Sequence, residues 1–353
     1  MAMGRMLGRT GTPITCNFMW NGGSLLGFLF LMQSISGLVL SMRYSPTFEL
    51  AYGSIINWSN MVDYGWLLRL THVGGASMVI AMLTLHIGRA LYYRVVRRAK
   101  VWNTGFFIYG LSAMAAFLGY VLPWGNMSYW AATVITNVLG CIPGMGSKFV
   151  IWLWGGECLN SATLGRFFTL HFLIPLLAWI IVFFHLMSLH AEGSSTLFFE
   201  KVAQDTSNLS MESLSRDIMG CMMVVMVFMG LLSLHADWLS HVENFEPANP
   251  IITPPHITPD WYFLIPYAVL RSVPHREGGA LALVLAVFSP WLLSAPRLSY
   301  MAAPKKKAMQ FLFLVFLIIN LSICGMRPPS EPYLMACRVL VLMYMLIVLN
   351  FTK

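Results

Sequence analysis

Four histidines carry the first chemical signal in this chain: His72 and His86 stand fourteen residues apart, and so do His171 and His185. Imidazole can ligate a metal, relay protons, or sit in a core as a hydrogen-bonded packing residue. The interval narrows that choice. In an α-helix, fourteen residues fall about 40° short of four turns and rise about 21 Å, so both members of a pair face one way at two depths. Each pair lies inside an apolar stretch, which places its members near opposite sides of a bilayer.

The surrounding elements must therefore be spanning helices. Of 353 residues, 58% are hydrophobic and 10% charged, with a mean hydropathy of +0.69, a composition that excludes an ordinary soluble domain. Apolar blocks lie near residues 22–42, 66–92, 105–122, 167–190, 217–234, 277–295, 308–324 and 334–351. The expected fold is all-α: a polytopic membrane protein of eight transmembrane helices, the first four forming a bundle. The chain divides into an N-terminal four-helix region, 1–200, and a C-terminal four-helix region, 201–353.

An even number of spans puts both termini on one side. That side carries thirteen Lys and Arg, including Arg94, Arg97, Arg98, Lys100 and Lys305 to Lys307, against eight on the other. The termini are thus expected to face the negative compartment, and the formal charge of +8 reflects topology, not nucleic-acid binding. The first segment, with Arg5 and Arg9, lacks the pattern of a cleaved secretory signal, so the first span is expected to remain. Six cysteines show no C-x-x-C spacing, which argues against structural zinc and covalent heme attachment. Cys141 and Cys158 share a positive-side connector, where free thiols are the stronger reading over a disulfide.

With this topology the second and fourth spans run in the same direction. His72 and His171 then share one level near the positive side, and His86 and His185 another near the negative side. Two levels, each with two imidazoles from facing helices, describe two bis-histidine heme sites in a bundle core. A single intramembrane histidine is more often a packing residue or proton relay; four in this arrangement favour heme. Gly23 and Gly37 in the first span, and Gly105 and Gly119 in the third, repeat the interval and offer bare backbone to a porphyrin face. With 28 glycines in the chain, this counts only because it matches the histidines in depth. Arg69 and Arg89 each stand one turn outward from a histidine, as propionate partners or as residues snorkelling to the interface.

Further sequence elements follow in a fixed order. They include Trp20-Asn21 with Gly23-Ser24-Leu25-Leu26-Gly27, Gly119-Tyr120-Val121-Leu122-Pro123-Trp124-Gly125, Trp152-Leu153-Trp154-Gly155-Gly156, Pro247-Ala248-Asn249-Pro250, Pro259-Asp260-Trp261-Tyr262 and Tyr267-Ala268-Val269-Leu270-Arg271-Ser272. Over nearly its whole length the chain resembles the cytochrome b family, the heme subunits of the quinol to cytochrome c oxidoreductase, respiratory complex III.

The resemblance implies two non-covalent b hemes: a low-potential heme on His72 and His171, and a high-potential heme on His86 and His185, with Trp20 among the cofactor-binding residues. It implies ubiquinol and ubiquinone as substrates, a Rieske iron-sulfur protein, a cytochrome c1-type subunit and other complex III subunits as partners, a homodimeric complex, and lipid contacts. The implied location is the mitochondrial inner membrane with both termini on the matrix side, a bacterial plasma membrane being the alternative.

Two quinone pockets are expected. On the positive side, residues 246–259 contain five prolines and must form a folded loop. Beside it, Asp260 sets a carboxylate among aromatic rings, suited to accept a proton from quinol; a solvated surface acid is the competing reading. Tyr120 and Tyr267 line this pocket or its proton path, or serve as packing rings. Asp260 stands where the family has Glu, which shortens the side chain and favours a bridging water. Ala131 replaces the family's usual Gly, and Leu118 a common Phe or Met, a combination that implies tolerance to methoxyacrylate-type inhibitors. On the negative side, His190, Arg216 and Asp217 are placed to bind and protonate a reduced quinone, with Ser194 a further candidate or a helix-end hydrogen bonder. Arg216 stands where Lys is usual. The connector 194–215 and the segment 235–245 depart from the family pattern, and neither His235 nor His241 is assigned to a heme.

Two other classes remain to be separated. A ferric reductase also holds paired hemes, but no dinucleotide fingerprint follows a strand here. A transporter could use the histidines as proton relays without heme.

Overall fold

The computed structural model describes residues 11–13, 21–92, 98–192, 206–208, 211–235, 241–292 and 304–351. Its helices are α1 Gly22–Ser41, α2 Ala51–Met61, α3 Gly65–Tyr92, α4 Ala99–Val121, α5 Asn126–Val138, α6 Gly146–Trp154, α7 Ser161–Glu192, α8 Met211–His235, α9 Leu264–Ser272, α10 Arg276–Leu292, α11 Pro304–Met326 and α12 Tyr333–Phe351. One antiparallel ribbon pairs β1, Gly11–Pro13, with β2, Thr206–Asn208. The chain is an all-α integral membrane protein.

Among the described residues, α1, α3, α4, α7, α8 and α11 are long and apolar enough to cross a membrane. The shorter α10 and α12 lie in the remaining two expected blocks, and α12 is apolar over Tyr333–Leu349. Observed helices overrun several expected boundaries: α4 begins at Ala99 instead of 105, α7 at Ser161 instead of 167, and α8 at Met211 instead of 217. The added turns are polar or basic, so hydropathy ends before the hydrogen-bonded helix does.

The short helices α2, α5, α6 and α9 were not expected. Each occupies a connector, and α5 buries one face made of Met127, Ser128, Tyr129, Ala131, Ala132 and Thr136. Pro175 lies inside α7, where its missing N–H leaves the His171 carbonyl without the usual helical donor.

The fold comprises two compact units whose segments interleave along the chain. One contains residues 1–43, 57–113 and 174–240; the other contains 44–56, 114–173 and 241–353. In the first, α1 packs on α3, and both touch α8. Trp179 of α7 packs edge-on against Phe30 of α1 and donates to Ser34 Oγ at 3.0 Å. In the second, α9 packs against α10, α11 and α12. Ser289 Oγ and Tyr344 Oη lie 3.0 Å apart in its core.

Candidate heme and quinone sites

Each of the four histidine rings lies against a glycine of α1 or α4. A Cβ placed on Gly37 would sit 2.8 Å from His72 Cε1, and one on Gly119 would sit 2.5 Å from His171 Cε1. On Gly105 it would fall 3.3 Å from His185 Cε1. Any side chain at the first two positions would collide with imidazole, so the bare backbone is a steric requirement. The fourth contact differs by one residue from expectation. Gly22, not Gly23, faces His86, its Cβ position lying 3.4 Å from Nδ1, whereas a Cβ on Gly23 would meet nothing within 4 Å. Gly22 is the first residue of α1, and a one-residue step turns the backbone by about 100°.

The other ring contacts distinguish the histidines. His72 Nδ1 lies 2.9 Å from Ser36 Oγ, while the His72 carbonyl accepts from Gln33 Nε2 at 2.9 Å. His171 Nδ1 lies 2.8 Å from the Ala115 carbonyl. His185 Nδ1 lies 2.9 Å from Thr104 Oγ1 and beside the Val101 carbonyl. His86 Nδ1 is buried and makes no hydrogen bond among the described residues; Arg89 and His185 are its ionisable neighbours.

This donor set fits b heme. Three of the rings hold Nδ1 against an oxygen, which leaves Nε2 to act as the iron ligand. Bare glycine backbone beside each ring suits close approach of a porphyrin. In the first unit, Asn21 Nδ2 and Trp102 Nε1 are buried donors with no protein partner among the described residues. Both flank the histidine-facing glycines Gly22 and Gly105, and sequence spacing gave no sign of either. Arg89 Nη1 lies 3.9 Å from the Cβ position of Gly22, beside the His86 ring. Arg69 Nη1 reaches Ser59 Oγ at 3.4 Å. Trp20 lies outside the described residues.

The start of α1 also meets the start of α8. Asp217 lies beside the Ser24 hydroxyl, and a Cβ on Gly220 would sit 3.2 Å from Leu25 Cδ2. Thus Asp217 lies by the same end of α1 that His86 and Arg89 of α3 face. Arg216 is half-buried next to it in α8, and His190 is exposed in the last turn of α7. Ser194 lies outside the described residues.

In the second unit, the proline-rich loop is folded as its composition required. The Asn126 N–H donates to the Glu246 carbonyl at 3.0 Å, the Ala248 N–H to the Trp124 carbonyl at 3.0 Å, and Trp130 Nε1 to the Asn249 carbonyl at 3.0 Å. Asn244 Oδ1 accepts from the Ser128 N–H at 2.8 Å. These contacts satisfy backbone groups that prolines prevent from pairing within a helix. Trp124 adopts φ 56°, and a Cβ on Gly125 would lie 2.6 Å from Asn244 Oδ1, so the turn into α5 depends on that glycine.

Asp260 precedes the short 3-10 turn Trp261–Phe263, its carbonyl accepting from the Phe263 N–H at 2.8 Å and its carboxylate from the Tyr262 hydroxyl at 2.7 Å. Burial pushes the Asp260 carboxyl above the usual carboxylate range, an effect partly opposed by the Tyr262 hydrogen bond and by His241. Burial, followed by the Asp260 charge, raises the Tyr262 phenol in turn. Tyr120 shares this environment: its hydroxyl is buried beside the Asn244 side chain and the Asp260 carboxyl. Tyr267 is committed elsewhere. Its hydroxyl donates to the Ile257 carbonyl at 3.0 Å, and the Arg271 guanidinium covers its ring at 4.5 Å from the centroid. Arg271 also donates to the Cys324 carbonyl at 2.7 Å and the Arg327 carbonyl at 2.9 Å. Tyr267 therefore anchors the loop that precedes Asp260. Ala131 and Leu118 are both buried. Cys141 and Cys158 are free thiols.

Beyond these residues, His241 bonds Thr258 Oγ1 through Nε2 at 2.7 Å and Glu243 Oε2 through Nδ1 at 2.9 Å.

Comparison with known proteins agrees with this architecture. Residues 9–193 match the family described as cytochrome b/b6/petB, and residues 247–345 match the family described as cytochrome b(C-terminal)/b6/petD. A cytochrome b of Apis mellifera ligustica is 43% identical over 282 residues, covering 80% of this chain and 74% of the relative. A solved chain described as hyperthermophilic respiratory complex III superposes with a TM-score of 0.89 at 28% identity, covering 97% of this chain and 92% of the other. With heme-compatible histidines on two spanning helices and these matches along its length, the chain belongs to the cytochrome b family of respiratory complex III, as a heme b subunit and membrane oxidoreductase component of a multi-subunit complex.

Proposed function

We propose that this chain carries out the electron and proton transfers of a Q cycle between two quinone pockets. The observation that carries the reading is the set of four imidazoles, each seated against a glycine, on two helices with the same fourteen-residue interval. His72 and His171 hold a low-potential b heme, a pairing that rests on the matching fourteen-residue intervals of two spans expected to run in the same direction and on family membership. His86 and His185 hold a high-potential b heme. Gly23, Gly37, Gly105 and Gly119 admit the porphyrins, and Arg69, Arg89 and Trp20 meet their propionates or edges. Residues 1–200 form the heme-binding region, and 201–353 complete the positive-side pocket.

When bound, the two hemes supply one-electron carriers between the pockets, the other electron of each quinol leaving through a Rieske iron-sulfur protein toward a cytochrome c1-type subunit. This chain's residues handle position and protons. Asp260 accepts a proton from ubiquinol, directly or through one water, and Tyr262 orients its carboxylate. A carboxyl raised by burial accepts a proton more readily than an exposed acid, which suits a base working near neutral pH. Tyr120 borders this pocket, while Tyr267 holds its loop. On the opposite side, Asp217 and His190 deliver protons to reduced quinone, and Arg216 and Ser194 help to bind it. Proton release and uptake on opposite sides make the reaction a proton translocation.

The proposed setting is the mitochondrial inner membrane with both termini in the matrix, a bacterial plasma membrane being the alternative, within a homodimeric complex. Reduced-minus-oxidised spectra and potentiometric titration of the assembled complex test the reading. Two b-type components are expected, and His86→Ala abolishes the high-potential one. Absence of b-type bands, or full retention of both components in His86→Ala, refutes it.

A further inference from the structure

The histidine contacts contain a repeat that the heme ligands alone do not require. In two of the four cases the residue immediately before the histidine-facing glycine carries a hydroxyl: Ser36 precedes Gly37, and Thr104 precedes Gly105. Ser36 Oγ lies 2.9 Å from His72 Nδ1, and Thr104 Oγ1 lies 2.9 Å from His185 Nδ1.

A hydroxyl has a single hydrogen, and in both residues the helix takes it. Ser36 Oγ donates to the Met32 carbonyl at 2.8 Å, with the Gln33 carbonyl at 3.2 Å. Thr104 Oγ1 donates to the Lys100 carbonyl at 2.8 Å, with the Val101 carbonyl at 3.0 Å. With its hydrogen committed, each oxygen faces the imidazole with lone pairs only. The histidine must then donate through Nδ1–H, which at His185 Thr104 shares with the Val101 carbonyl, and Nε2 keeps the free pair that binds iron. The glycine that follows lets the ring approach the helix closely enough to make this bond.

The other two histidines differ. His171 uses the Ala115 carbonyl, four residues before Gly119, and has no hydroxyl at 118, where Leu stands. His86 Nδ1 has no partner among the described residues. The hydroxyls are therefore distributed one to each of the two proposed heme levels: Ser36 with His72, Thr104 with His185.

We propose that Ser36 and Thr104 are positioning residues that fix the Nδ1–H tautomer of His72 and His185 and, by accepting that hydrogen bond, hold down the reduction potentials of the low- and high-potential hemes respectively. An acceptor on Nδ1–H makes the imidazole a stronger electron donor and stabilises ferric over ferrous iron. Removing the acceptor raises the potential. This inference rests on the heme-ligand reading above.

The test is potentiometric titration of the b-type bands in the assembled complex in its membranes. The unsubstituted protein reports on the ligand reading, because loss of either b component there would refute heme binding before any variant is considered. Thr104→Val keeps the β-branched shape without the hydroxyl, and is expected to raise the high-potential component alone, by a shift on the order of tenfold in the oxidation equilibrium, about 59 mV for one electron. Ser36→Ala is expected to raise the low-potential component alone. Thr104→Ser restores the acceptor and is expected to titrate as the unsubstituted protein does. Two intact components that do not move in Thr104→Val and Ser36→Ala overturn the inference. So does Thr104→Ser shifting as far as Thr104→Val, or each single variant moving both components equally, since a general packing disturbance would do either.

Discussion

The His171 ring stands directly over Gly119, with Cε1 2.5 Å from where a Cβ would be and Nδ1 2.8 Å from the Ala115 carbonyl one turn earlier. The helix thus holds the ring in two ways, by leaving out a side chain and by offering an oxygen. Gly119→Ala would force a non-bonded carbon contact far inside the ordinary separation of roughly 3.5–4.0 Å, so the ring must shift by about an ångström. The expected outcome is loss of one b component in the reduced-minus-oxidised spectrum. Gly110→Ala on the same helix, where a Cβ meets nothing within 4 Å, is expected to retain both. Equal spectra for the two variants would dissociate Gly119 from heme binding.

Asp260 gives a pH prediction. Its folded-state carboxyl is raised, chiefly by burial, so the folded protein binds this proton more tightly than the unfolded chain does. Its contribution to stability is present below the ordinary carboxylate range and is lost as pH rises through the raised value. Quinol oxidation runs the other way, because only the ionised form accepts a proton. An acid limb in the rate profile is therefore expected above the ordinary carboxylate range. Asp260→Asn should remove that limb and slow oxidation on the order of 10²–10⁴-fold, and Tyr262→Phe should move the limb to higher pH by removing a hydrogen bond that favours the ionised form. An unchanged profile in Asp260→Asn would exclude the carboxylate as the proton acceptor.

Ala131 and Leu118 are both buried, at 3% and 5% exposure, so neither can yield to a ligand by swinging into solvent. Quinol oxidation is expected to tolerate methoxyacrylate-type inhibitors, and Ala131→Gly to increase sensitivity by removing one buried methyl group. Inhibitor titration of the two proteins decides, and ordinary sensitivity in the unsubstituted protein sinks the idea.

At the start of α1, Asp217 lies beside Ser24 and shares that helix end with His86. Asp217→Asn is expected to slow quinone reduction on the negative side by roughly 10²-fold or more while leaving both b components in the spectrum. Rapid-mixing measurement of b reoxidation by added quinone provides the check; an unaltered rate would remove Asp217 from the proton path.

Much of this was legible because it is periodic. The apolar blocks and the histidine interval both follow from helix geometry, and they point to the spanning helices and to four imidazoles that lie against glycines. The short helices α2, α5, α6 and α9 were missed since a connector helix of 9 to 13 residues leaves no spanning-length apolar run. The histidines' interval picks out Gly23, whereas the contact made by Gly22 depends on where α1 begins. Ser36, Thr104, Asn21 and Trp102 carry no distinctive spacing at all. Their roles arise from which helix faces which ring, and a serine before a glycine is otherwise an ordinary helical pair. The Tyr267 hydroxyl donates to the Ile257 carbonyl, a bond that no residue pattern announces.

The interleaved segments of the second unit impose an order on biosynthesis. Tyr52 donates its hydroxyl to the Phe245 carbonyl, which is translated 193 residues later, and Tyr44 donates to the Leu122 carbonyl at a separation of 78. The region 44–56 thus leaves the ribosome long before the partners that fix it, and a chain arrested near residue 200 lacks the entire segment from 241 onward. Until translation passes Phe245, the early connector must be carried through membrane insertion unfinished, a stage at which nascent chains would be open to quality-control proteases and assembly factors.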